Sequence, residues 1–279
     1  MIVIADSGST KCNWQLVDDS GSVRRVQSRG INAVLQRPDE VEALLRETFA
    51  EPVQADALHF YGAGCGERPE QSARLREALA RYFPAARIAV ESDLMGAARA
   101  LLGGRAGIAC ILGTGSNSCY YDGVRIVRNT PPLGWVLGDE GSGTYIGRQL
   151  VGNLLKGLCD ESLRQLFFEE ERLDYDEIIR RVYREGMANR FLASFTRFVA
   201  RHIDRPELDE LVCEAFRAFV RRNLAHYPAD AEVSALGGVA CHFERQLRHV
   251  LATEGMRAGR IVETPDEGLL NYHIWNRSE

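Results

Sequence analysis

The chain opens with the sequence MIVIADSGSTKCNW, residues 1–14, in which a short apolar segment runs directly into a polar turn. Residues 2–5 predict a buried strand, and the alternation of apolar and polar residues from Cys12 onward predicts a second one. The turn between them, residues 6–11, presents backbone N–H groups and hydroxyls that suit an anion such as a phosphate. Asp6 adds a carboxylate where a hydrated Mg²⁺ would bind. The alternative is an ordinary hairpin whose small residues only form the turn.

A second copy of this pattern begins at residue 107. Residues 107–112 are apolar, and the sequence TGSNSC at 114–119 aligns with SGSTKC at 7–12. A hydroxyl residue, Gly, Ser, a small polar residue and Cys fall in register. The separation is much too long for a solenoid repeat, so the pattern favours one domain plan used twice. Two such hairpins facing each other across a cleft would hold the phosphates of a nucleotide.

Length and composition indicate a soluble protein with two domains. A chain of 279 residues has reached the size at which a single core stops growing. The formal net charge of −5 argues against a nucleic acid or an anionic membrane as the main partner. Its apolar runs are all shorter than the ~20 residues that span a membrane, and no signal peptide is expected before Asp6.

The cysteines indicate a reducing compartment. There are seven of them, an odd number, and none forms a CxxC pair. We therefore expect a cytoplasmic protein in which most of the thiols are buried as small hydrophobic groups.

In the first half, a carboxylate lies where a strand meets a helix. The strand predicted at residues 86–90 ends at residues 91–93 (ESD), and a helix predicted over 94–102 starts at that point, with Ser92 or Asp93 near its cap. An isolated Asp at such a junction is usually a helix cap. Open α/β sheets, however, bind their ligands at the carboxyl ends of strands, so Asp93 is equally a candidate for function.

Two other features of the first half are less specific. Asn32 lies in a loop before a helix that opens at Pro38, where a role in the turn is the simpler interpretation. The sequence GAGCG at residues 62–66 follows a strand but lacks the remainder of a dinucleotide fingerprint, which excludes a Rossmann site.

The second half contains a glycine-rich loop and a long helical region. The loop, residues 131–143, carries the adjacent acids Asp139 and Glu140, and its many glycines are costly for stability. Helices are predicted at 144–158, 161–168, 175–185, 189–202 and 208–226. A strand at 232–236 then leads into Gly237 and Gly238, where a flat ligand could come close. After a last strand at 260–263, a final helix over 268–275 is expected to pack back toward the first domain.

Three motifs in this order resemble a known superfamily. Residues 6–10 (DSGST), 112–116 (LGTGS) and 236–240 (LGGVA) are similar to the phosphate-1, phosphate-2 and adenosine motifs of the actin, hexokinase and heat-shock chaperone ATPases. Within that superfamily, residues 91–93 and 134–142 (GWVLGDEGS) resemble the N-acetylglucosamine kinase branch of the BadF/BadG/BcrA/BcrD ATPase family.

The resemblance implies an α/β fold of two ribonuclease-H-like domains with mixed five-stranded sheets that flank a central cleft. The glycine-rich segment 103–107 divides them into residues 1–104 and 105–279. The implied cofactors are ATP and Mg²⁺, and the implied partner is a small amino sugar, without nucleic acid or membrane and with a homodimer left open.

The same resemblance assigns a role to individual residues. Asp93 matches the general base that takes the proton of the sugar 6-hydroxyl, and Asp6 matches the residue that holds Mg²⁺ through water. The positions that match the ATP site are Ser7, Gly8, Ser9, Thr10, Lys11, Gly113, Thr114, Gly115, Ser116, Gly237 and Gly238. The positions that match the sugar site are Asn32, Asn117, Gly134, Trp135 and Asp139.

Two other functions remain open at this stage. One is an ATPase activator of a 2-hydroxyacyl-CoA dehydratase or benzoyl-CoA reductase, which would need paired cysteines for an iron–sulfur cluster. The other is a sensor of sugar or nucleotide without catalysis, which an intact Asp93 disfavours. The sequence does not distinguish N-acetylglucosamine from glucosamine, N-acetylmannosamine or N-acetylmuramic acid.

Overall fold

A computed structural model of the chain describes residues 1–8, 11–34, 36–66 and 69–275. These residues form two compact units, one comprising residues 1–104 with 265–279 and the other residues 105–264. The final helix, which the sequence places at the end of the second domain, is thus part of the first unit.

Each unit is built on a five-stranded mixed sheet. The strands are β1 Ile2–Ser7, β2 Lys11–Val17, β3 Val23–Arg29, β4 Ala57–Gly62, β5 Arg87–Ser92, β6 Gly107–Leu112, β7 Ser116–Tyr121, β8 Ile126–Thr130, β9 Glu232–Leu236 and β10 Arg257–Val262. The helices are α1 Pro38–Thr48, α2 Pro69–Tyr82, α3 Asp93–Leu102, α4 Gly134–Leu137, α5 Gly143–Leu155, α6 Glu161–Glu171, α7 Tyr175–Tyr183, α8 Ala188–Ser194, α9 Thr196–Arg201, α10 Pro206–Phe219, α11 Gly238–His242, α12 Glu244–Thr253 and α13 Asp266–His273.

The two sheets have the same order, which confirms the expectation of one plan used twice. The first sheet runs β3-β2-β1-β4-β5 and the second runs β8-β7-β6-β9-β10. In each, the first three strands in sequence are antiparallel and the last two are parallel to the first. The parallel strands therefore end at one edge of their sheet, where α/β proteins place ligands.

The first unit buries both faces of its sheet. On one face, α1 and α2 cover an aromatic cluster in which the ring centroids of Trp14 and Phe49 lie 5.4 Å apart. On the other, α13 packs so closely on α3 that a Cβ added to Gly268 would lie 2.2 Å from the carbonyl oxygen of Ala100. The Tyr61 hydroxyl and His273 Nε2 are 2.6 Å apart and join β4 to α13.

The second unit has a larger core, formed between its sheet and the helices that follow α4. Two of the predicted helices are interrupted. The segment predicted as one helix over 189–202 is divided into α8 and α9, and the segment predicted over 208–226 is α10 followed by a π-helical turn, Val220–Leu224. No helix among the described residues is long and apolar enough to cross a membrane.

Candidate active site

Asp6 lies at the carboxyl end of β1, in a strongly acidic environment. Burial, followed by the charges of Asp266 and then Asp93, raises the pKa of Asp6 to about 7, while Lys11 acts in the opposite direction. Asp6 and Asp93 stand at the same edge of the first sheet, because β1 and β5 are paired in register on either side of β4, and the charges of Asp266 and Asp93 both act on Asp6. A divalent cation would relieve the repulsion among these carboxylates.

Asp93 is the first residue of α3, but it is not the helix cap. The cap is Ser92, whose hydroxyl accepts a hydrogen bond from the Met95 amide at 3.1 Å. Oδ1 of Asp93 accepts from the adjacent Leu94 amide at 2.8 Å and orients the carboxylate. The cap interpretation of Asp93 is therefore wrong, and its carboxylate is partly exposed beside Asp6.

The other predicted residues of the first hairpin differ in what they can offer a phosphate. The Ser7 hydroxyl is buried, donates to the carbonyl of Ile31 at 2.9 Å and accepts from its amide at 2.7 Å, so it supports the fold. The Gly8 amide donates to the carbonyl of Lys11, which closes the turn, and the Lys11 side chain is exposed. Ser9 and Thr10 lie outside the described residues.

Asn32 forms a local turn beside the loop that follows β4. Its Oδ1 accepts from the Val34 amide at 2.9 Å, and a Cβ added to Gly64 would lie 3.1 Å from this oxygen. Gly64 has a φ of 77°, in the region that favours glycine. With one hydrogen bond accepted in the turn, Asn32 can still offer a ligand its side-chain NH₂ group and one lone pair of Oδ1.

The turn between β6 and β7 is suited to an anion. The amides of Thr114 and Gly115, and the Oγ of the buried Ser116, have no hydrogen-bond partner among the described residues. The N-terminal turn of α5 holds this turn in place, because the amides of Gly143 and Thr144 donate to the carbonyls of Gly113 and Thr114. A buried hydroxyl without a partner is rare in native proteins and fits a phosphate oxygen.

Asp139 lies against this turn. Its Oδ1 accepts from the Ser116 amide at 3.3 Å, and a Cβ added to Gly115 would lie 3.1 Å from its Oδ2. Its backbone has a φ of 54°, which is uncommon for a residue other than glycine. Burial, partly offset by the Ser116 amide, raises the pKa of Asp139, and the charge of Glu140 raises it further.

The remaining predicted sugar residues lie on β7 and in α4. Oδ1 of Asn117 accepts from the Ser118 amide and from Nδ2 of Asn129, both at 2.9 Å, so its own NH₂ group is the part left for a ligand. Gly134, with a φ of 72°, begins α4, and the Trp135 carbonyl that follows accepts from Arg148 Nη1 at 2.7 Å.

Gly237 and Gly238 lie next to the anion-binding turn because β9 is the parallel neighbour of β6. A Cβ added to Gly237 would lie 2.3 Å from the carbonyl oxygen of Leu112, and its φ of 120° is one that other residues rarely adopt. This close approach allows only glycine at position 237, immediately before α11.

The residues of the site fit an Mg²⁺ ion that is held mainly by water and by the phosphates of ATP, rather than by a cage of side chains. The described residues contain no group of three or more His, Cys, Asp or Glu side chains arranged to hold a metal directly. Mg²⁺ commonly keeps several waters and uses one or two carboxylates together with substrate phosphates. Asp6, a carboxylate at the same sheet edge as Asp93, fits this binding of a hydrated Mg²⁺. The Ser116 hydroxyl, which has no hydrogen-bond partner in the part of the chain that the structure describes, fits a phosphate oxygen.

Sequence reasoning missed several polar residues around these positions. Asp266 raises the pKa of Asp6 from the start of α13, and Arg222 and Asn223 contact Glu140 from the π-helical turn. The signal that the sequence offers is the pair of acids Asp266 and Glu267 after Pro265, which is equally typical of the first turn of a helix. Contacts between residues so far apart leave no local pattern.

The class of protein is defined by two sheets of the same mixed order, one in each unit. The glycine-containing turn after β6 and the carboxylates at the ends of β1 and β5 lie at the edges where such sheets bind ligands. The chain shares this two-unit α/β fold with the ROK hexokinase of Thermus thermophilus, which is 18% identical, covers 97% of this chain and 96% of its own, and gives a TM-score of 0.50.

The comparisons with known proteins identify the branch. A crystal structure of a protein from Porphyromonas gingivalis, provisionally assigned as an N-acetylglucosamine kinase, is 43% identical, covers 99% of both chains and gives a TM-score of 0.94. A second provisional N-acetylglucosamine kinase, from Chromobacterium violaceum, is 20% identical, covers 97% of this chain and 98% of its own, and shares the fold with a TM-score of 0.75. The chain belongs to the N-acetylglucosamine kinase-like family that the Porphyromonas gingivalis protein represents.

A curated relative matches part of the chain. The N-acetylmuramic acid/N-acetylglucosamine kinase of Clostridium acetobutylicum is 30% identical over 180 residues, which are 58% of this chain and 56% of that relative. The match thus spans about half the length of the curated relative. No protein-family model matches the chain.

Proposed function

We propose that the protein is a kinase that transfers the γ-phosphoryl group of ATP to the 6-hydroxyl group of an amino sugar, with N-acetylglucosamine as the first candidate. The observation that carries this proposal is that Asp6 and the partly exposed Asp93 stand at the same edge of the first sheet, at the carboxyl ends of β1 and β5. One carboxylate is suited to a hydrated metal and the other to a proton. The sugar is inferred from the names of the relatives in Porphyromonas gingivalis and Clostridium acetobutylicum.

Asp93 acts as the general base. A sugar hydroxyl is a poor nucleophile at neutral pH, and a positioned carboxylate that accepts its proton contributes ~10²–10⁴-fold in rate. Ser92 performs the capping, so the Asp93 carboxylate is not needed for that purpose. Its bond from the Leu94 amide fixes the orientation in which it meets the hydroxyl.

The turn after β6 binds phosphate. The amides of Thr114 and Gly115 and the hydroxyl of Ser116 donate to phosphate oxygens, and the start of α11 at Gly238 accommodates the adenosine. Bound Mg²⁺ supplies charge neutralisation for the transferred phosphoryl group. Asp6 is the residue that would hold that ion.

The sugar is recognised by groups of defined character. Asn117 acts as a donor, because its side-chain oxygen already accepts two hydrogen bonds within the protein, and Asn32 offers its NH₂ group and the second lone pair of its oxygen. Asp139 acts as an acceptor for sugar hydroxyls.

The test is ADP release from MgATP with N-acetylglucosamine, N-acetylmannosamine, glucosamine and N-acetylmuramic acid. We expect turnover with N-acetylglucosamine and none with its 6-deoxy analogue, which lacks the accepting hydroxyl. Turnover of the 6-deoxy sugar would place the phosphate elsewhere. Binding of sugar and ATP without any ADP would contradict the kinase and favour a sensor. Iron in protein purified without oxygen would favour an activator.

A further inference from the structure

Glu140 is a buried carboxylate that the proposed reaction does not use. It follows Asp139 directly and is only 4% exposed. A buried carboxylate is costly unless it is paired and hydrogen-bonded. Its presence in a loop beside the anion-binding turn therefore needs a reason.

Both oxygens of Glu140 are engaged by the π-helical turn that follows α10. Nε of Arg222 lies 2.9 Å from Oε1, and Nδ2 of Asn223 donates to Oε2 at 3.2 Å. Asn223 is itself buried, whereas the Arg222 side chain is largely exposed. Single π-helical turns within helices occur frequently at functional sites.

The next residue of the loop, Gly141, packs against Phe219 at the end of α10. Gly141 has a φ of 73°, and a Cβ added there would lie 2.9 Å from Cβ of Phe219. The loop is thus fixed at two successive positions by three residues of one helical face. The helix and the π-helical turn act as a support for the segment that contains Asp139.

Asp139 needs such a support because its own conformation is unfavourable. A φ of 54° for a residue with a side chain persists only where the surroundings determine it. Its carboxylate also depends on a long hydrogen bond of 3.3 Å from the Ser116 amide. A small displacement of residues 140 and 141 would move this carboxylate.

We propose that Glu140, held by Arg222 and Asn223, is a positioning residue that fixes the carboxylate of Asp139 for sugar binding. This inference rests on the proposed function, because it takes Asp139 to contact the sugar. The alternative is that Glu140 stabilises the second unit without any effect on the site. The positioning role predicts a higher KM for the sugar but not for ATP when Glu140 loses a partner. A purely stabilising role does not, since loss of stability alone would not raise the KM for sugar selectively.

Arg222→Met tests the proposal, with Arg221→Met as a matched control. Arg221 is the neighbouring residue, is exposed to the same degree and pairs with Glu254 at 2.9 Å, away from the loop. We expect Arg222→Met to raise the KM for N-acetylglucosamine about 10-fold or more, as misplacement of a contacting group commonly does. The KM for ATP should remain within about twofold of that of the control, since the anion-binding turn is held by α5.

Two further variants separate positioning from folding. Glu140→Gln has a single acceptor oxygen for two donors, so it should raise the sugar KM in the same direction, while Arg222→Lys should restore part of the loss. Equal sugar KM values in Arg222→Met and Arg221→Met, or a matching rise in both substrate KM values, would overturn the inference. If the wild-type protein phosphorylates no sugar, the proposed function fails instead, and calorimetric titration of N-acetylglucosamine into both Arg variants then decides the inference.

Discussion

The carboxylate of Asp93 carries most of the proposed chemistry. Its simplest structural role would be to cap α3, but Ser92 is the cap. Asp93→Asn preserves the side-chain size and the oxygen that accepts from Leu94, but it cannot take a proton. We expect kcat to fall ~10²–10⁴-fold with little change in the KM for ATP or in melting temperature. Asp174→Asn is the control, because Asp174 is a true cap of α7, and Asn caps a helix about as well as Asp. Turnover of Asp93→Asn within a few-fold of wild type would contradict the assignment and make Asp139 the next candidate.

The raised pKa of Asp6 predicts a stability that depends on pH. The folded protein releases the Asp6 proton near pH 7, whereas the unfolded chain releases it near pH 4. Wild-type stability is therefore penalised progressively as pH rises from about 4 to 7, and the penalty is constant above that. Asp6→Asn avoids it and should be more stable at pH 8 by up to about 4 kcal/mol, with no advantage near pH 4. Urea unfolding of both proteins at pH 4 and pH 8 measures this, and an equal difference at the two values would refute it.

The candidate site residues that the sequence could predict are those that lie in a short local motif. Asp6, Asp93 and Asp139 each stand in a short segment with a defined spacing, and the structure places the first two at the same edge of the first sheet. The pairing of Glu140 with Arg222 could not be predicted, because it depends on how α10 packs. The use of the Ser7 hydroxyl by Ile31 was equally hidden, since a buried serine and a ligand-binding serine look alike in a sequence.

At the scale of elements, strands were predicted better than helix ends. The helix predicted over 189–202 is interrupted because Ser194 and Thr196 donate their hydroxyls to carbonyls three residues earlier, which competes with regular helix geometry. The short helix α4 escaped prediction because it is bounded by unusual backbone conformations, with φ of 61° at Leu133 and 54° at Asp139. Such conformations depend on tertiary contacts.

The packing of α13 on α3 predicts a strong effect of one methyl group. Gly268→Ala would place a Cβ 2.2 Å from the backbone oxygen of Ala100, which cannot rotate away. We expect it to destabilise the protein by ~1–3 kcal/mol or more. Gly152→Ala is the control, because that position lies within α5 with no atom within 4 Å of the added Cβ, and it should be neutral or stabilising by ~0.5–1 kcal/mol. Thermal melting of both variants decides the matter, and similar melting temperatures would contradict the close packing.

At the scale of the whole molecule, one unit is a continuous stretch of chain and the other is not. The second unit is continuous, residues 105–264, and contains its own sheet and a large apolar core. The first unit is discontinuous, because residues 265–279 complete it with α13. The buried side chains of Tyr61 and His273 meet across that junction, and Leu269 and Leu270 are buried with Ile4. Sequence alone predicted that the final helix packs back but placed its residues in the second domain.

This difference predicts which fragments fold. Residues 105–264 should give a cooperative thermal transition when expressed alone, because their core is formed within one stretch of chain. Residues 1–104 alone should not, since they would leave Tyr61 and the apolar face of α3 uncovered, and each buried large side chain is worth ~1.5–3 kcal/mol. Fusing residues 265–279 to residue 104 through a flexible linker should restore the transition, and the same fusion carrying Gly268→Ala should restore it less well. Circular dichroism during heating makes the comparison, and a fragment 1–104 as stable as its fusion would show that α13 is not part of the folding unit.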